Sequence, residues 1–186
     1  MKAVMISIKP QWCELIASGK KTVEVRKTRP KLETPFKCYI YCTKPKRIYE
    51  DIISAPTTKD TYLYAGGKII GEFVCDDIFT VELPLTIPKN NTVDFFLCLS
   101  YAQMELLDFY QYSKECNKIY FWHISDLVIY DKPKPINAFR KPCKYGEKTE
   151  ISHSCFECGR LGGHWDEKYC CVYLTRSPQS WCYVEV

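Results

Sequence analysis

No run of apolar residues approaches the ~18 needed to cross a bilayer, so the sequence offers no membrane-spanning helix. The opening segment, Met1 to Pro10, has too short an apolar core for a secretory signal. It is expected to be the first strand of a soluble, cytoplasmic protein. No internal repeat or low-complexity tract is visible. Wholesale disorder is excluded as well, because 46% hydrophobic and 26% charged residues are ordinary globular values. The 186 residues suit one domain with a core large enough to need no disulfides.

What is present is unevenly distributed. Residues 1–50 hold 12 Lys/Arg against 4 Asp/Glu, a net +8, while the remainder carries −4. A basic end without an amphipathic basic helix points to a polyanion such as RNA or DNA rather than to a membrane. Aromatic residues reach 15%. Aromatic faces stack bases and interleaved lysines neutralise the phosphate backbone.

Twelve cysteines are many for this length. In a reducing compartment they are expected as thiols or metal ligands, not as a disulfide framework. Cys155 and Cys158, followed by Gly159, form a Cys-x-x-Cys-Gly knuckle that fits one tetrahedral ion. Cys143 lies twelve positions before it and Cys170-Cys171 begin twelve after it. Cys143, Cys155, Cys158 and Cys170 (or Cys171) would make a closed structural zinc site, with His153 or His164 able to replace one ligand. The remaining cysteines are expected to be core fillers.

Along the chain, Ala3–Ile8 is expected as a strand, followed by a short helix that opens at Pro10 and closes at Gly19. Thr22–Arg26 is a second strand, with Val23 and Val25 on the core face and Thr22, Glu24 and Arg26 on the other. Phe36–Cys42 is a third. Thr43–Gly67 is expected as an insertion, and Lys68–Leu83 carries a strong strand signal. Ser100 is expected to cap a helix over Tyr101–Tyr112 that buries Leu106, Phe109 and Tyr110. Ile119–Tyr130 is a strand pair or bent strand, and Trp181–Val186 is the last strand. The fold class is therefore α+β, a small mixed β-barrel with peripheral helices and a Cys-rich C-terminal loop. Its parts are 1–131 for the barrel with an insertion at 43–67, 132–180 for the Cys-rich loop, and 181–186 for the closing strand.

The run Ile6-Ser7-Ile8-Lys9-Pro10, a short helix, and then Gly19-x-Lys21-x-x-Glu24-x-Arg26 resembles the ASCH domains of the PUA-like superfamily. Ile69-Ile70-Gly71-Glu72-Phe73 and Trp122-His123-Ile124-Ser125-Asp126-Leu127 look similar to later barrel strands of that family. The whole chain also resembles ASCH-type proteins of phages and prophages.

That resemblance implies binding of RNA or a modified nucleobase at the barrel rim. Lys20, Lys21, Thr22, Glu24 and Arg26 would form the polar wall, with Tyr41 and Trp12 as stacking aromatics. Cations would grip phosphate and Glu24 would accept from a base N–H edge. A solvated Glu–Arg pair worth at most ~1 kcal/mol is the plain alternative for those residues. Some relatives remove the acetyl group of N4-acetylcytidine with a lysine, a threonine and a distant glutamate. Lys21 fits that lysine, but Glu24 occupies the place of the nucleophile and Thr22 sits two residues earlier, ~6–7 Å along a strand. An amidohydrolase using Lys21 and Glu24, a ribonuclease drawing on His123, and a protein-binding module using the Thr43–Gly67 loop complete the set of readings.

Overall fold

The structure is a computed structural model that describes residues 2–44, 66–83, 92–141 and 173–185. The chain runs β1 (Lys2–Ile8), α1 (Pro10–Ala17), β2 (Val23–Arg26), β3 (Phe36–Cys42), β4 (Lys68–Cys75), β5 (Ile78–Glu82), α2 (Thr92–Tyr101), α3 (Leu106–Ser113), β6 (Lys118–His123), β7 (Ser125–Pro135), a 3-10 turn (Ile136–Ala138) and β8 (Trp181–Glu185).

These strands form two sheets. One has the order β7-β4-β3-β1-β8 and the other β2-β6-β5. β1 and β3 run parallel, joined through α1 and β2, and every other described ladder is antiparallel. Pro10 opens α1, where its missing N–H costs nothing, and Gly19 at φ +74 ends it. The Gly19 and Lys21 amides return to the Ile16 and Leu15 carbonyls, which delivers the chain directly into β2.

The chain changes sheets four times, and two of those crossings, β4 to β5 and β6 to β7, are made within one or two residues. That side of the sandwich is thus closed by continuous backbone. On the opposite side, the edge strands β2 and β8 are bridged by side chains. Arg26 Nη1 donates to Ser180 Oγ at 3.4 Å, Trp181 Nε1 to Thr28 Oγ1 at 2.9 Å, and the Lys31 amide to the Tyr183 hydroxyl at 2.7 Å. The barrel expected from the sequence is therefore two sheets sharing a core, and among the described residues no ladder joins them at the β2–β8 seam.

Three buried layers result. Between the sheets lie Val4, Ile6, Ile8, Cys38, Ile40, Cys42, Phe73 and Trp122, with Cys13 and Ile16 of α1. Outside the small sheet, Val23, Val25, Ile119 and Phe121 pack beneath Phe95, Leu99 and Phe109 of the two later helices. Outside the large sheet, Met5, Tyr39, Tyr41, Ile69 and Val184 are covered by Phe139 and Leu174. Strands covered on both faces read as nearly continuous apolar runs, which explains β1.

Three local expectations are corrected. Lys68–Leu83 is two strands, broken at Asp76-Asp77 where the chain changes sheets. Ser100 lies inside α2 and does not cap a helix. The helix stops because Gln103, at φ +51, lets the Gln103 and Met104 amides fold back onto Ser100 and Leu99. A second helix starts at Leu106, and of the stripe expected to be buried, Phe109 is buried whereas Leu106 and Tyr110 are exposed.

Candidate functional site

β2 is only four residues long, yet all four are buried, and the polar pair is the unusual half. Register decides which way each points. Val23 and Val25 face the layer under the helices. Glu24 lies opposite Trp122, which belongs to the layer between the sheets. Paired residues share a face, so Glu24 and Arg26 point into the inter-sheet space. The expectation of an outward polar wall at the rim is corrected accordingly, because the polar face of β2 is an inner face.

There Glu24 holds two cations. Its Oε2 is 3.3 Å from Lys21 Nζ and its Oε1 is 2.9 Å from Arg26 Nη2. Lys21, Glu24 and Arg26 are 3%, 6% and 8% exposed. Lys21 Nζ also donates to the Ala102 carbonyl at 2.7 Å and sits 5.1 Å above the Trp12 ring. Arg26 Nη2 donates to the Ser7 carbonyl at 2.6 Å. Ser7 is itself anchored, its hydroxyl donating to the Pro178 carbonyl at 2.7 Å and its amide to Ser180. Two positive charges and one negative charge are thus held largely out of water, leaving an excess of one cation. Burial lowers the pKa of Lys21 below its usual 10.5; Glu24 opposes that shift and Arg26 adds to it.

Two N–H donors on this face have no partner among the described groups, Arg26 Nε and Trp122 Nε1. Trp181 continues the aromatic surface, its ring 6.2 Å from Trp122 and 5.4 Å from Tyr183. The site is therefore rich in donors. Both Glu24 oxygens are engaged by cations, so its capacity to accept from a ligand is largely used.

Of the residues singled out from sequence, Lys21, Glu24 and Arg26 come together and half-buried Trp12 joins them through Lys21. Thr22 precedes β2, its amide bonded to the Tyr101 carbonyl and its carbonyl to the Ile124 amide. Lys20 is exposed beside the cluster. Tyr41 is buried in the layer outside the large sheet, on the far side of β3 from the cluster, so it does not share the cluster's face. Ser7, Trp122, Ser180 and Trp181 were not singled out as site residues. Only a polar Ser7 inside the apolar run of β1 hinted at one of them.

His123 is exposed at the end of β6 and pairs with Asp76, Nδ1 to Oδ1 at 2.7 Å. Burial would raise the Asp76 pKa, but the hydrogen bonds from His123, its own amide and Ser125, together with the attraction of His123, hold it below its ordinary value. Glu72 belongs to a separate group outside the large sheet, with Lys37 Nζ at 2.8 Å and the Tyr130 hydroxyl donating to it. The buried thiols behave as fillers. A hydrogen bond with Cys42 and burial push the Cys13 thiol far up, and burial pushes Cys75 up to about 12. Cys143, Cys155, Cys158, Cys170 and Cys171, with His153 and His164, lie outside the described residues, as does most of the 43–67 insertion. Among the described residues no three His, Cys, Asp or Glu side chains converge as a metal site. Among them, too, no helix is long and apolar enough to cross a membrane.

Comparison with known proteins gives this geometry a family. No curated protein matches the chain. A crystal structure of ASCH from Zymomonas mobilis is similar at 19% identity and a TM-score of 0.51, over 72% of this chain and 73% of that one. A tyrosine-to-phenylalanine variant of the same protein is similar at 18% identity and a TM-score of 0.51, over 73% and 77%. At such identity the likeness concerns the fold. The ASCH domain model matches residues 6–93, a span containing β1, α1, the whole Lys21–Glu24–Arg26 cluster and β4. Residues 6–93 thus match the ASCH domain, and the chain has a mixed α+β fold of the ASCH, PUA-like kind.

Proposed function

We propose that this protein binds RNA or a modified nucleobase at the β2–β8 seam, over the Lys21–Glu24–Arg26 cluster. The observation that carries the reading is the uncompensated positive charge held in that cluster, where burial makes it expensive and low dielectric makes it strong. The setting agrees with it. Exposed Lys20, Lys27, Arg29 and Lys31 flank β2, and half-buried Trp12 and Trp181 offer ring faces. ASCH domains belong to an RNA-binding type of fold, which supports the same ligand class. Because the cluster's free capacity is in donors, the ligand supplies acceptors: phosphate oxygens or the carbonyl edge of a base.

The lowered pKa of Lys21 favours a second reading, hydrolysis of an acylated base such as N4-acetylcytidine with Lys21 as proton carrier. A carboxylate held between two cations is a weak nucleophile, so Glu24 fills the nucleophile's place poorly and binding is the reading we prefer. Native mass spectrometry of the protein with a panel of nucleosides and short RNAs, N4-acetylcytidine included, distinguishes the two. A retained nucleoside or RNA supports binding, and deacetylated product supports hydrolysis. Silence on both at low salt removes this proposal. The same spectra weigh any zinc carried by Cys143, Cys155, Cys158 and Cys170, which we retain as a structural staple of the 132–180 segment.

A further inference from the structure

The later helices carry a surface that ligand binding at the seam does not use. Six of the eight large apolar side chains exposed among the described residues are on α2 and α3: Phe96, Leu97, Tyr101, Leu106, Leu107 and Tyr110. Leu107 alone is 68% exposed. Leu97 and Tyr101 are four apart, as are Leu106 and Tyr110, so each helix presents one apolar stripe outward. Beneath these side chains the buried Phe95 and Phe109 rings hold the two helices together, Phe95 to Phe109 at 5.1 Å, with exposed Phe96 5.5 Å from Phe95 and exposed Tyr110 6.1 Å from Phe109. Most monomers do not leave so concentrated an apolar surface uncovered.

Charge identifies what fits it. In a chain of net +4, residues 92–113 contain no Lys, Arg or His, and their three charges are Asp94, Glu105 and Asp108, all exposed. An isologous contact with a second copy would set acidic rim against acidic rim. RNA and anionic lipid are repelled for the same reason. Neither 45–65, with three cations and three anions, nor 142–172, with four and five, is a basic segment. We propose that the outward face of α2 and α3 is a docking surface for a basic amphipathic helix of a partner protein. Its apolar side would lie on the two stripes and its Lys/Arg would meet Asp94, Glu105 and Asp108. The surface adjoins the seam cluster, since the end of α2 supplies the Tyr101 and Ala102 carbonyls that hold the Thr22 amide and Lys21 Nζ.

The test uses the full chain and a fluorescein-labelled amphipathic helical peptide of leucine and lysine, read by anisotropy, with the leucine–glutamate peptide as control. Saturable binding of the lysine peptide alone is expected. It should weaken about tenfold, or 1.4 kcal/mol, in Phe96→Ser/Leu107→Ser and again in Glu105→Lys/Asp108→Lys. All these positions are exposed, and an unchanged melting curve checks the fold of each variant; the charge pair decides if the apolar pair melts early. Equal binding of both peptides, equal binding by the variants, or no saturable binding overturns the proposal. A dimer in sedimentation that Leu107→Ser dissolves overturns it too, by giving the face to a second copy.

Discussion

Lys21 and Glu24 sit 3.3 Å apart but stand in opposite energetic positions. Glu24 is the sole carboxylate between two buried cations, so neutralising it leaves both without an anion. Lys21 is a cation that its surroundings disfavour, since burial outweighs Glu24 and lowers its pKa. Glu24→Gln is expected to cost about 3–5 kcal/mol of stability. Lys21→Met should cost less than half of that, because the Glu24–Arg26 pair survives it. The pH dependence follows in sign. Between its folded pKa and 10.5, Lys21 binds fewer protons folded than unfolded, so its penalty is fullest at lower pH and is relieved as pH rises through that window. Denaturant unfolding of the two variants checks the order, and a Lys21→Met protein as unstable as Glu24→Gln would refute it.

At the scale of elements, β2 shows why some of the site was readable and some was not. The alternation Val-Glu-Val-Arg identified two faces, and the residues that carry the charge were recognisable from it. Which face looks inward depends on what covers the valines, and that is α2 and α3, from a segment 70 residues later. A single helix over Tyr101–Tyr112 provides no such cover, which leaves the charged face of β2 as the outer one; two helices starting at Thr92 and Leu106 provide it. Tyr41 depends on the same kind of remote cover, because it lies in the layer with Phe139 and Leu174, from much later in the chain. Gly71 is the complementary case, a position whose reason lies entirely in a remote strand. A Cβ there would meet the Val128 carbonyl at 2.4 Å and the Ile129 Cα at 3.2 Å, at the irregular register between β4 and β7. Gly71→Ala is expected to cost about 1–3 kcal/mol, whereas Gly19→Asn, where a Cβ meets nothing within 4 Å and asparagine tolerates positive φ, should cost well under half as much. Thermal denaturation of the two proteins compares them directly; equal losses would contradict the packing described for β4.

For the whole molecule, the division of charge now has a structural meaning. The basic N-terminal quarter supplies β1, α1, β2 and the exposed lysines beside the seam, and the acidic, apolar helix pair lies on the other side of β2. The charge imbalance was legible in composition alone. The seam was not, because it arises where β8, from the far end of the chain, stops short of a ladder with β2 and is bridged through Arg26, Trp181 and Tyr183 instead. We propose that phosphate and base are bound over that seam. The most direct test is the affinity of a fluorescent single-stranded RNA for the native chain, Lys20→Ala and Trp12→Ala across a salt series. Binding should fall steeply with salt, Lys20→Ala should reduce the logarithmic slope by about one, and Trp12→Ala should weaken binding by about 1–3 kcal/mol. Affinity that ignores salt and both substitutions, or no binding at low salt, would contradict the account.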